Sequence, residues 1–243
     1  MFTSPHGGNK KLKETPQRNR SNLPHSCNGK QFNKISDLFT SELTEDITKN
    51  MVSMSVKGVY KKIAEIDRSW IDFNRGPECA FEPSNDRLAE QLYREYHMGI
   101  KKIIKEIYSQ NRKGLCLLVD LHGTRRMKVN GSRVDIFFGT DGGNTICGLL
   151  ELNPDVLWDN NGLIKLIQDK DYHTYPQVKN QKEFKYLDGG FTIKKSGACN
   201  RKRRVEALQC EVSLRFRKDS HRREQFARDM AECILKFISQ YLA

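Results

Sequence analysis

The 243-residue chain has no Cys-x-x-Cys pair among its seven cysteines, no proline-, glycine- and serine-rich linker, and no apolar run approaching the length of a membrane span. Without a linker, the length reads as one large α/β domain over 1–243 with room for a proper core. Without a long apolar run, a helical membrane protein is excluded. The start Met1-Phe2-Thr3-Ser4 lacks the pattern of a signal peptide. Two cysteines, Cys116 and Cys210, fall inside apolar stretches that read as strands, which suggests buried free thiols in a reducing compartment rather than a disulfide framework. The expectation is a soluble, cytoplasmic protein.

Acidic surplus is also missing. Lysine and arginine number 42 against 30 acids, a net charge of +12. Residues 9–34 hold seven basic side chains and one acid, and residues 194–223 hold eleven and three, so these segments carry +6 and +8 and the remainder is −2. Such patches attract anions, whether a small carboxylate or a nucleic-acid backbone. Neither segment interleaves aromatic with basic residues as base stacking requires, which makes nucleic acid the minority reading.

What is there is organised around residues 115–123. Five apolar residues, Leu115 to Val119, run into Asp120-Leu121-His122-Gly123, the pattern of a buried parallel strand that ends at a polar site. Ligands of open α/β sheets bind outside the carboxyl ends of strands, so His122 is placed to hold a metal or act in catalysis; the alternative is a core histidine capping the strand. Upstream, Ser4-Pro5-His6-Gly7-Gly8 sets a second histidine in a tight turn after what can only be a very short strand. Residues 9–34 read as a long exposed basic loop. Ser36 or Asp37 then caps a helix reaching about Ser55. Residues 60–66 fit either a helix continuation or an edge strand.

Residues 67–77, Asp-Arg-Ser-Trp-Ile-Asp-Phe-Asn-Arg-Gly-Pro, place four charges and an asparagine among large apolar side chains; such polarity faces solvent or lines a site. Apolar residues from Leu88 to Ile107 recur at helical spacing over 85–109, with His97 off the stripe and assigned to the surface. Residues 134–140 read as another buried strand before the turn Asp141-Gly142-Gly143, and a helix is expected over 153–168. Residues 187–192 contain a second double-glycine turn, Gly189-Gly190. A strand over 205–213 is interrupted by Glu206, Gln209 and Glu211, and a helix closes the chain with Phe226, Met230, Ile234, Phe237 and Tyr241 on one face. The alternation predicts an α/β architecture, three layers with a mixed, mostly parallel sheet flanked by helices.

His6, Asp37 and His122 stand at element ends. Two imidazoles and a carboxylate leave a fourth position open, the donor set of a catalytic zinc rather than a structural one. Glu211, a carboxylate inside an apolar strand, is a candidate general base, with an outward-facing strand residue as the alternative. Asn74-Arg75 offers a fork for a carboxylate. Asp120 is a candidate acceptor for the His122 imidazole, but support of its own loop is the favoured reading, on the expectation that it and His122 point to opposite faces of the strand.

Taken in order, Pro5-His6-Gly7-Gly8, Asp37-x-x-Thr40-x-Glu42-Leu43, Arg68-x-x-x-Asp72-x-Asn74-Arg75, Asp120-Leu121-His122-Gly123, Gly189-Gly190-Phe191-Thr192 and Ala207-Leu208-Gln209-x-Glu211 resemble the motif series of the N-formylglutamate amidohydrolase family, from Pro5 to about Arg217. The resemblance implies a fold similar to the zinc carboxypeptidases, with zinc held by His6, Asp37 and His122 and Glu42 as the reserve acidic ligand. It implies Glu211 as general base, Arg68 as a second cation for the carbonyl oxygen, and Asn74, Arg75, Gly189 and Gly190 around the substrate. The expected activity is zinc-dependent hydrolysis of the amide of a small N-acyl amino acid such as N-formyl-L-glutamate. A carboxypeptidase or peptide amidase acting on acidic peptides, and a non-catalytic anion- or nucleic-acid-binding protein, are the competing expectations.

Overall fold

The apolar run around Val119 becomes the centre of a sheet in the computed structural model, which describes residues 1–27, 32–83, 87–110, 116–125, 127–197 and 205–242. In chain order the elements are β1 (Phe2–Ser4), α1 (Thr40–Ser53), β2 (Lys61–Ile63), α2 (Pro77–Ala80), α3 (Arg87–Gln110), β3 (Cys116–Thr124), the hairpin β4 (Met127–Val129) and β5 (Ser132–Val134), β6 (Ile136–Gly139), α4 (Cys147–Leu152), α5 (Leu163–Gln168), β7 (Thr174–Tyr175), α6 (Phe191–Ser196), β8 (Val205–Ser213), α7 (Arg215–Lys218) and α8 (Ser220–Tyr241). Six strands make one sheet in the order β2-β1-β3-β8-β6-β7, and every pair is parallel except β8 with β6. Leu115 lies outside the described residues.

Period-two alternation divides the side chains of the central strands between two cores. Leu117, Val119 and Leu121 of β3 and Leu208, Cys210 and Val212 of β8 join Leu43, Ile47 and Met51 of α1 and the apolar face of α8. Cys116 and Leu118 of β3 and Val205 and Ala207 of β8 pack on the other face with Ala89, Tyr93, Tyr96 and Ile100 of α3. The result is a single three-layer α/β domain, as the alternation predicts.

Several elements differ from the sequence reading. The segment 60–66 resolves as the edge strand β2. Neither Ser36 nor Asp37 caps α1; the N-cap is Phe39, at φ 65°, and the Asp37 side chain is turned into the site instead. The helix expected over 153–168 is α5 alone: the Asn153 and Asp159 side chains accept from the backbone N–H groups of Asp155 and Asn161, local bonds that favour turns over helix. His97 is not a surface residue. It is 6% exposed, edge-on to Tyr93, Tyr96 and Phe191, because the rings of α3 and α6 widen the buried face beyond the aliphatic stripe. The expected first residues of α3, 85 and 86, lie outside the described residues, as do 28–31 and 198–204 of the basic segments.

The thiol reading needs correction too. Cys116 and Cys210 are buried and free, as expected, but Cys27 and Cys79 form a disulfide with Cα atoms 5.5 Å apart. Fifty-two residues separate them, and they meet because the basic loop folds back over α2. A cytoplasmic location, which rested on free thiols, loses that support. Among the described residues no helix is long and apolar enough to cross a membrane.

Candidate metal centre and substrate cavity

Residues two apart on a strand share a face. Asp120 and His122 of β3 therefore point the same way, and so do Gln209 and Glu211 of β8, all toward the α3 side of the sheet. Parallel register sets His122 directly beside Glu211. Since β1, β3 and β8 run together, the turn holding His6 opens at the same carboxyl edge. Asp37 is brought there by its backbone N–H, which donates to His6 C=O at 2.9 Å.

Three donor atoms converge. His6 Nδ1 is 3.1 Å from His122 Nδ1 and 3.3 Å from Asp37 Oδ2, and His122 Nδ1 is 3.1 Å from the same oxygen. The outer face of each ring meets a carboxylate: His6 Nε2 lies 2.6 Å from Asp72 Oδ1, and His122 Nε2 lies 3.0 Å from Asp120 Oδ2. Protons donated outward to these carboxylates leave both Nδ1 lone pairs facing Asp37. Three acceptors then crowd one point, an arrangement that a cation relieves. An ion with tetrahedral ligands at about 2.0–2.1 Å separates its donors by about 3.4 Å, so the spacing and the donor set both fit zinc. Glu42, the reserve ligand, is exposed on α1 and outside this group.

Asp72 is a functional candidate that the sequence reading left without this role, and Asp120 is one whose role as acceptor for His122 it ranked below support of the loop. Asp72 is fully buried and also takes Arg68 Nε at 3.0 Å on its second oxygen, while Asp120 accepts from Thr3 Oγ1 on β1. An outer carboxylate fixes the tautomer and orientation of a ligating imidazole. The signal for Asp72 was available, an acid inside Trp-Ile-x-Phe. For Asp120 the signal was its two-residue spacing from His122.

Glu211 faces the same space at 7% exposure and accepts from Gln209 Nε2 at 2.9 Å. Burial pushes its carboxyl up to about 7, against the pull of His122 and Arg68. Arg68 is buried on Asp72, and Arg75 donates through Nη1 to Asn74 C=O at 2.8 Å. Both ends of the Asn74 amide lie within the site: its Oδ1 accepts from Thr192 N at 2.8 Å, and its amide nitrogen lies 3.1 Å from His122 Nε2. Gly190 explains part of the double-glycine turn, because a Cβ there would meet Asn74 Nδ2 at 2.0 Å; Gly189 sits at φ +146°, which a side chain would strain. The sequence reading missed Arg217 of α7. Only 3% exposed, it donates to the carbonyls of Leu38, Thr124 and Val212, each one or two residues from Asp37, His122 or Glu211. One guanidinium thus ties together three segments of the site.

These residues line a cavity of about 1000 Å³. The basic loop forms part of its wall through Ser26 and Asn33. Most of the loop is exposed, as expected, but Thr15, Arg18, Leu23 and Cys27 are buried. Arg18 crosses to the site, donating to Arg68 C=O at 3.2 Å and lying 3.5 Å from Asp72.

Comparison with solved structures gives full-length matches, among them two with a TM-score above 0.5. An N-formylglutamate amidohydrolase from Ralstonia eutropha JMP134 superimposes with a TM-score of 0.64 at 16% identity, over 99% of this chain and 92% of that one. A gene product of Agrobacterium tumefaciens gives 0.58 at 13% identity, over 99% and 90%. The chain shares their fold. At these identities the likeness is one of architecture, and no family model and no curated protein matches the sequence.

Proposed function

We propose that this protein is a zinc-dependent amidohydrolase that cleaves the amide of a small N-acyl amino acid, N-formyl-L-glutamate being the simplest representative. The observation that carries the reading is the convergence of His6 Nδ1, His122 Nδ1 and Asp37 Oδ2 within 3.3 Å, with Glu211 beside His122 on the adjoining strand. The activity of the Ralstonia eutropha neighbour, an N-formylglutamate amidohydrolase, supports the reaction class.

His6, Asp37 and His122 would hold the zinc, which supplies Lewis acidity toward a carbonyl and lowers the pKa of water. Glu211, near neutrality when buried, takes a proton from the attacking water and returns it to the departing nitrogen. Arg75 orients the substrate by its carboxylate, and Arg68 sets a positive charge against the carbonyl oxygen. Asn74 and Gly190 fix the start of α6 beside the site.

Metal analysis of the purified protein, coupled to a hydrolysis screen over N-formyl and N-acyl amino acids, tests the assignment. Glu211→Gln is expected to retain zinc and to lose about 100-fold or more in kcat. Turnover unaffected by that substitution would overturn the mechanism.

A further inference from the structure

Resting on the hydrolase reading above, we infer that the acyl group of the natural substrate is a hydrocarbon chain or ring several carbons long, not a formyl group, and that Ile35, Leu38 and Tyr186 form its subsite. Eight large apolar side chains are strongly exposed among the described residues, and three of them, Ile35 at 61%, Leu38 at 59% and Tyr186 at 54%, line the one cavity that holds the His6-Asp37-His122 group. The other five are Val52, Leu88, Met98, Leu152 and Val178, none of which borders it. Exposed apolar residues scattered singly need no explanation, but their concentration around a reactive centre does.

Their placement is fixed by the site itself. Ile35 and Leu38 bracket Asp37; the Ile35 carbonyl accepts from Arg68 Nη1 and the Leu38 carbonyl from Arg217. Tyr186 stands on the loop before Gly189-Gly190, which Glu183 anchors by accepting from Thr140 and Gly142. The Tyr186 backbone is held at φ 76°, a conformation costly for a bulky residue, and the residue stays half-exposed with Lys185 Nζ 5.2 Å from its ring centroid. The cavity thus has a guanidinium for a carboxylate at Arg75, and apolar side chains in its lining that an acyl group can cover.

Size points the same way. About 1000 Å³ is the upper end of what drug-sized ligands fill. A formylated amino acid would occupy a small part of it. A longer acyl chain would take the three apolar side chains out of water.

The test compares kcat/KM of the zinc-loaded full chain for N-formyl-, N-acetyl-, N-hexanoyl- and N-octanoyl-L-glutamate and for an acidic dipeptide, Glu-Glu. The octanoyl compound is expected to exceed the formyl compound by about tenfold or more. Ile35→Ser and Tyr186→Ser, at exposed positions where folding is not at stake, should each shrink that octanoyl-to-formyl ratio by about threefold or more. Formylglutamate cleaved as well as or better than the octanoyl compound overturns the inference and leaves the hydrolase reading standing. So does a ratio that neither variant changes, and preference for the dipeptide overturns it in favour of peptide substrates. Hydrolysis of none of these amides by zinc-loaded protein overturns the inference and the hydrolase reading together.

Discussion

Asp72 and Asp120 decide what the two histidines can do, because a proton held on Nε2 is what frees Nδ1 to coordinate. Asp120→Asn removes one anchor while preserving shape. It is expected to weaken zinc binding by about 10- to 100-fold, read by competition with a chromophoric chelator, with the circular dichroism spectrum unchanged. A second residue-scale consequence concerns His97. Burial lowers its pKa to about 4, and Lys195 and Lys101 push the same way. The unfolded chain binds a proton near 6.5 that the native state refuses, so stability falls as pH drops from about 6.5 toward about 4. Urea midpoints at pH 7 and pH 5 should differ more for the native protein than for His97→Phe, which keeps the aromatic packing and has nothing to titrate. His97 was misread from sequence because an aliphatic helical stripe says nothing about neighbouring rings, and here Tyr93, Tyr96 and Phe191 extend the buried face.

At the scale of elements, the basic loop is the part whose role the sequence left open. Lys10 bridges to Ile66, Arg18 reaches Arg68 and Asp72, and Cys27 is bonded to Cys79, so the segment is fastened to α2 and to the cavity at several points. Closing a 52-residue separation removes unfolded-state entropy worth about 4 kcal/mol by chain statistics. Replacing both cysteines with serine should therefore cost about 2–4 kcal/mol in chemical denaturation. A disulfide partner is not legible here, since neither spacing nor local pattern links 27 to 79. The strands were legible for the opposite reason. The run after residue 115 and the segment 205–213 carry their own burial pattern, and β3 and β8 lie where those patterns place them.

For the whole molecule, the three candidate ligands come from three separate segments, the turn after β1, the approach to α1 and the end of β3. An ion that joins them stabilises the native state over the unfolded one by mass action, about 4 kcal/mol at a thousandfold excess over the dissociation constant. Exhaustive chelation is expected to lower the Tm by several degrees, and stoichiometric zinc to restore it. A melting curve indifferent to both would argue that no metal links these segments.

The residues of the candidate centre, the strand around Val119 and the alternating α/β order were written in the sequence, because each depends on a local pattern of polarity. What the tertiary structure decided is which polar atoms meet. Asp37 left its cap position to face two imidazoles, Arg217 joined three segments through their carbonyls, and Ile35, Leu38 and Tyr186 came to rim one cavity. Most of these contacts lie between residues 31 to 179 positions apart, where no periodicity operates and only the packing of the sheet and its helices sets the distance.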